Sequence, residues 1–132
     1  MGEKPRVVVL EDDDVFCAML LAVLEDDYDC VVGKDGLEGL RLCRAGRVDI
    51  LLTDIGMPEM DGIEMLKEFQ KDPALAAIPT LVITATHFTR RYRSELDGIP
   101  QVRGVLLKPC HVDEITAAIT GILSQRRSPG AP

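Results

Sequence analysis

The sequence contains no tryptophan, and its aromatic content is only 4%, so whatever core it builds must be aliphatic. Cations are in deficit too: 15 Lys and Arg stand against 22 Asp and Glu, giving a formal net charge of -7. Reading a phosphate backbone takes clustered Lys and Arg that replace counterions, so direct nucleic-acid binding is not expected of this chain. The four cysteines, Cys17, Cys30, Cys43 and Cys110, form no CxxC pair and no Cys/His spacing suited to zinc, and free thiols in a reducing cytoplasm are the simplest reading. No apolar run approaches the roughly 20 residues of a spanning helix, and no secretory segment precedes the first strand. The expectation is a cytoplasmic protein with no membrane contact. A P-loop and the patterns of serine or cysteine triads are likewise missing.

What is present is a repeated local pattern: an apolar run of strand length that ends on a polar, chemically capable residue. With 132 residues and 46% hydrophobic content, the chain suits one domain with one core, residues 1–124, followed by a polar tail or linker over 125–132. Asp49 to Thr53 reads as a buried strand that runs straight into Asp54, where Gly56 and Pro58 force a turn. Arg6 to Leu10 repeats the pattern and delivers Glu11 and Asp12. Thr80 to Thr84 ends on a hydroxyl, and Val102 to Leu107 runs into Lys108 and Pro109. Cys30 to Val32 supplies a brief further strand.

Between these strands lie helical patterns. Asp14 is a suitable cap for the first helix, with Val15, Phe16, Met19, Leu20, Val23 and Leu24 as its apolar stripe. Leu37, Leu40, Leu42 and Cys43 form the apolar face of the second helix, and Ile63, Met65, Leu66 and Phe69 that of the third, which Asp72-Pro73 ends or interrupts. A fourth helix carries Phe88, Tyr92 and Leu96 inward and Arg90, Arg91 and Arg93 outward. The last spans Val112 to Leu123. Five uniformly apolar strands alternating with five helices predict an α/β domain, doubly wound, with a five-stranded parallel sheet in the order 2-1-3-4-5. In such sheets, groups at the carboxyl ends of the strands converge, which brings Glu11, Asp12, Asp54, Thr84 and Lys108 to one rim.

Three acids crowded together repel unless a cation offsets them, and a hard, oxygen-lined site with open positions suits Mg²⁺. A lysine and a hydroxyl beside a carboxylate suit phosphoryl transfer, with the carboxylate of Asp54 as nucleophile. The motifs VVVLEDD, LLTDIGMPEMDG, LVITA and LLKP, in this order at strand ends, resemble the receiver domain of response regulators in two-component and phosphorelay signalling, over Arg6 to about Ser124. The resemblance implies a flavodoxin-like (βα)5 fold. It also implies that Asp54 accepts a phosphoryl group from a sensor histidine kinase or histidine phosphotransfer protein, with Glu11, Asp12, Asp54 and the Gly56 carbonyl as Mg²⁺ ligands. Thr84 would be the switch hydroxyl, Lys108 the phosphate-contacting lysine, and the Lys108-Pro109 bond cis.

On this reading the chain is a phosphoacceptor and acts as no enzyme beyond catalysing its own transfer and hydrolysis. The resemblance also implies output contacts, or a homodimer, through the fourth helix, fifth strand and last helix. Three positions depart from the family pattern: Val105 replaces an aromatic, Cys110 a Phe, and Asp97 to Arg103 an Ala/Gly-rich exit from the fourth helix. The alternative is a docking module of the same fold that signals without phosphorylation. A phosphatase is disfavoured, because Asp54-Ile55-Gly56 has no second acid two residues on.

Overall fold

The computed structural model describes residues 3–127. Its elements run β1 (Arg6–Leu10), α1 (Asp14–Leu24), β2 (Asp29–Gly33), α2 (Gly36–Ala45), β3 (Ile50–Thr53), α3 (Gly62–Phe69), α4 (Pro73–Ala76), β4 (Thr80–Ala85), α5 (Thr86–Asp97), β5 (Val102–Lys108) and α6 (Val112–Arg127). All strand pairings are parallel, and the sheet order is β2-β1-β3-β4-β5, as the alternation of apolar strands and helices predicts.

Because side chains alternate across a strand, neighbouring residues of the central strands serve two separate cores. Val7, Val9, Ile50, Leu52, Leu81 and Ile83 face α1 and α6, packing with Leu20, Leu24, Ile115 and Ile119. Val8, Leu10, Leu51 and Val82 face the other way, against Leu40, Met65, Leu66, Phe69 and Leu96 of α2, α3 and α5. Strands apolar at every position follow from burial on both faces.

The structure corrects several sequence expectations. Among the described residues six helices form, not five. Asp72-Pro73 does more than stop α3: the Asp72 side chain accepts the Ala74 N–H, and Pro73 opens the one-turn α4, where its missing N–H costs nothing. The cap of α1 is Asp13, not Asp14; its Oδ1 accepts the N–H groups of Val15 at 2.9 Å and Phe16 at 3.2 Å. Val15 (81% exposed) and Leu37 (51%) stand outside the apolar faces assigned to them. Periodicity alone cannot tell a core position from its neighbour at a helix start. Helix α6 continues through Arg127, past Leu123, so the start of the expected tail is helical; residues 128–132 of that tail lie outside the described residues. The exit from α5 does depart from regularity. Gln101 is buried with its amide donating to the Leu75 and Ile78 carbonyls, and the β4–β5 register skips Arg103. Among the described residues, no helix is long and apolar enough to cross a membrane.

Candidate phosphoacceptor site

Sheet register sets the site. Leu10 pairs with Thr53, so the next residues of β1 and β3, Glu11 and Asp54, leave the sheet level with each other. Two backbone bonds hold them there: Glu11 N–H to the Gly33 carbonyl and Asp54 N–H to the Leu10 carbonyl, both 3.1 Å. On the other side Thr84 pairs with Leu107 and Ala85 with Lys108, so Lys108 leaves the sheet one residue beyond the level of Thr84.

The chain beyond Asp54 turns at once. Ile55 has its carbonyl bonded by the N–H groups of Met57 and Gly62, and Glu59 sits in the left-handed region at φ 62°. Gly62 is required by close approach, since a Cβ there would lie 2.9 Å from the Ile55 Cα. A capping box between Asp61 and Glu64 then starts α3.

Asp54 is buried, and both of its oxygens are engaged. Oδ1 accepts the Thr84 hydroxyl at 2.7 Å and the Ile55 N–H at 2.6 Å. Oδ2 accepts the Lys108 ammonium at 2.8 Å. Lys108 also reaches Glu11 Oε1 at 2.8 Å, so one ammonium bridges two carboxylates. The other Glu11 oxygen accepts the Asp13 N–H at 3.1 Å. Asp12 is exposed at the mouth, and ligand-capable atoms of Glu11, Asp12 and Asp54 all lie within 4.8 Å of one another.

The electrostatics follow from burial. Desolvation pushes the Glu11 carboxyl above the usual 4.5; the Lys108 and Asp13 hydrogen bonds oppose this, and the Asp54 charge adds to it. For Lys108, burial taken alone would lower the ammonium, but the hydrogen bonds and charges of Asp54 and Glu11 outweigh it and hold it above 10.5. Three carboxylates against one ammonium leave an excess of negative charge in a hard-oxygen pocket. That donor set fits Mg²⁺, which favours carboxylates and water over nitrogen or sulfur.

Every residue expected at the rim is therefore there, and the Lys108-Pro109 peptide is cis. Two contacts were not anticipated. The Phe16 ring, assigned only to the stripe of α1, lies with its centroid 4.5 Å from Lys108 Nζ. The Phe88 ring, assigned to the inward face of α5, packs on Gly56, where an added Cβ would meet its edge at 2.6 Å. Nothing in helical spacing marks either ring as a neighbour of the acids. Thr86 is exposed at the first turn of α5, and His87 is exposed, stacked on Phe88 with centroids 4.2 Å apart. Cys110 is half-buried beside the α1 and α6 core, and burial raises its thiol above 9.0.

Residues 7–120 match the response regulator receiver domain. The chain belongs to that family. It is 31% identical over 137 residues to the transcriptional regulatory protein ZraR of Klebsiella oxytoca, covering 99% of this chain and 29% of that protein. It is 29% identical over 125 residues to the sensor histidine kinase TmoS of Ectopseudomonas mendocina, covering 95% of this chain and 13% of that one. The receiver thus spans less than a third of the length of these relatives. Among solved structures, a Francisella response regulator receiver domain matches with a TM-score of 0.82 at 26% identity, over 94% of this chain and 100% of that one. The receiver domain of a Pseudomonas aeruginosa sensor histidine kinase, solved with a magnesium ion in its active site cleft, shares the fold with a TM-score of 0.82 at 20% identity, over 92% and 98% of the two chains.

Proposed function

We propose that this receiver domain takes a phosphoryl group onto Asp54 from a phosphohistidine on a sensor histidine kinase or histidine phosphotransfer protein, and that partner binding changes as a result. One Asp54 oxygen forms a bond to phosphorus as the P–N bond to the donor histidine breaks, and the imidazole leaves with the electron pair and takes up a proton. Lys108 swings its ammonium from the carboxylates to a phosphoryl oxygen, and Thr84 turns its hydroxyl to another. Glu11, Asp12, Asp54 and the Gly56 carbonyl would hold Mg²⁺, which when bound supplies positive charge against the phosphoryl oxygens. The single observation that carries this reading is Asp54 itself: a buried carboxylate with a hydroxyl on one oxygen and an ammonium on the other, and two further acids at hand.

The transfer adds about two negative charges at the rim and so draws Thr84 and the start of α5 inward. The surface that would report this is α5, β5 and α6. There, a cavity of about 300 Å³ lies open between Arg93 and Arg103, floored by Leu96, Val102 and Val105. An output domain or a second copy of the chain would dock on this face. The domain acts on no substrate beyond its own acyl phosphate, and its setting is the cytoplasm.

Incubation with acetyl phosphate and Mg²⁺, followed by intact-protein mass spectrometry, tests the reading. The wild type should gain one phosphoryl group and Asp54→Asn none; equal labelling of both would refute it. Partner binding that is indifferent to Asp54→Asn and to chelation of metal would favour a docking module that signals without phosphorylation.

A further inference from the structure

Lysine is a poor choice for holding a charge in one place. Its four-carbon stem is flexible, and ordering it costs side-chain entropy. Lys108 is ordered here by two carboxylates, Glu11 and Asp54, each 2.8 Å from Nζ. Those same carboxylates are the groups that a cation and a phosphoryl group would engage during transfer. At that moment the two contacts that order the ammonium are the two that must yield.

A third contact does not yield. The face of Phe16 lies 4.5 Å from Lys108 Nζ, within the range in which the negative face of an aromatic ring attracts a cation. The ring is anchored by the turn that bears the acids. Phe16 is the third residue of α1, its N–H is bonded to Asp13 Oδ1, and the Asp13 N–H is bonded to Glu11 Oε2. Phe16 carries no ionisable group and so has no part in binding metal or phosphate. Its position relative to β1 is set by backbone and cap bonds. Among the described residues the other cation–ring pair, Arg91 with Tyr92 on α5, is longer at 5.3 Å.

We infer that the Phe16 ring is a positioning element for Lys108: it keeps the ammonium at the rim while Glu11 and Asp54 change partners, and so speeds phosphoryl transfer to Asp54. The inference rests on the phosphoacceptor reading of Asp54. Phe16 also packs at the margin of the α1 and α6 core, so a simple truncation mixes packing with electrostatics. The electronics of the ring must be changed at constant shape.

Incorporating mono-, di- and trifluorophenylalanine at position 16 does this, alongside Phe16→Tyr and Phe16→Leu. Two quantities are read. The first is the chemical shift of the Lys108 ε-methylene protons, assigned by their loss in Lys108→Arg. They should be displaced upfield by the ring in the wild type, Phe16→Tyr and the fluorinated proteins, and should return to ordinary values in Phe16→Leu. The second is the rate of labelling by acetyl phosphate with Mg²⁺. It should fall stepwise with fluorination and by roughly threefold to tenfold in Phe16→Leu, with Phe16→Tyr within about twofold of wild type.

An unshifted ε-methylene in the wild type overturns the inference, as does a labelling rate flat across the fluorinated series. Should Phe16→Leu fail to fold, the fluorinated series still decides. A wild type that takes no label while its ε-methylene is shifted overturns the phosphoacceptor reading and, with it, the role in transfer. A labelled wild type with a flat series overturns the role of the ring alone.

Discussion

Replacing Lys108 with methionine tests whether charge or packing holds the rim together. Methionine keeps most of the apolar stem, which matters because long lysine stems contribute by packing as well as by charge. What it removes is one ammonium shared by Glu11, whose side chain is 3% exposed, and Asp54, at 10%. Hydrogen bonds to charged partners contribute about 1.5 to 3 kcal/mol each, and removing one partner of a buried pair costs about 3 to 5 kcal/mol. The lysine side chain is 22% exposed and the rim is open at Asp12, so water and partial protonation of Glu11 relieve part of the loss. The low end applies, about 3 kcal/mol, which for a chain of this length is a fall in Tm of about 10 °C. Thermal unfolding at pH 7.5 in EDTA gives the gap between wild type and Lys108→Met.

The same gap measured in 10 mM Mg²⁺ (roughly the range needed to saturate a weak hard-oxygen site) should close by more than half. In the wild type a cation must compete with the ammonium for two carboxylates, whereas in Lys108→Met it meets no competitor and restores the missing charge. Asp54→Asn added to Lys108→Met should also recover stability in EDTA, because one of two uncompensated like charges is gone. A gap that is the same with and without Mg²⁺, and that Asp54→Asn leaves alone, would refute the reasoning. It would mean that the lysine stabilises the fold through its methylenes.

Other outcomes follow from single contacts. The Glu11 carboxyl is raised above 4.5 by burial, so its protonated form is favoured in the folded state; the stability it contributes is full below 4.5 and lost as pH rises through its folded value. Glu11→Gln should therefore gain stability relative to wild type on going from pH 4 to pH 7, read by urea unfolding at each pH. Thr84→Val removes a fully buried hydroxyl that donates to Asp54 Oδ1 but leaves the Ile55 N–H on the same oxygen. The cost should be about 1 kcal/mol, with a larger loss in the response to phosphorylation, read as partner binding with and without acetyl phosphate. Gly62→Ala forces a Cβ to 2.9 Å from the Ile55 Cα, and backbone cannot step aside as a side chain can. It should destabilise by about 2 to 3 kcal/mol in denaturant unfolding and slow labelling of Asp54 by moving its loop.

Strand-level features were legible because each needed only local composition and one topological rule. Arg6 to Leu10 and Ile50 to Thr53 are too apolar to be anything but strands buried on both faces, and parallel order then fixes which residues meet at their carboxyl ends. That is why Glu11, Asp54, Thr84 and Lys108 could be brought together from sequence. Features decided by side-chain direction were not legible. Asp12, Asp13 and Asp14 are adjacent acids, and only the backbone turn determines that Asp13 caps α1 while Asp12 faces the site. Val15 and Phe16 both fit an apolar stripe, yet one is exposed and the other lies against Lys108. The one-turn α4 has too few residues to show a period, although Asp72-Pro73 holds the signature of a capped start.

The rim sets folding against function. A core of aliphatic side chains would be served best by apolar strand ends, but β1 and β3 end on acids that a fully packed interior would exclude. The fold offsets this with a single lysine from the edge strand β5, which lies beyond β4 from both acids and reaches them only because β5 runs one residue farther than its apolar stretch. The Thr84 hydroxyl and the Ile55 and Asp13 N–H groups help to hold the acids, but the charge that faces them both is one long, flexible side chain. On the proposed function, a group that supplies positive charge to Glu11 and Asp12, or that takes Lys108 for its own oxygens, would alter the balance of contacts on Thr84 and hence on the start of α5. On the proposed function, the same excess of acid at the rim would give an incoming phosphoryl group leverage over the helix beyond it.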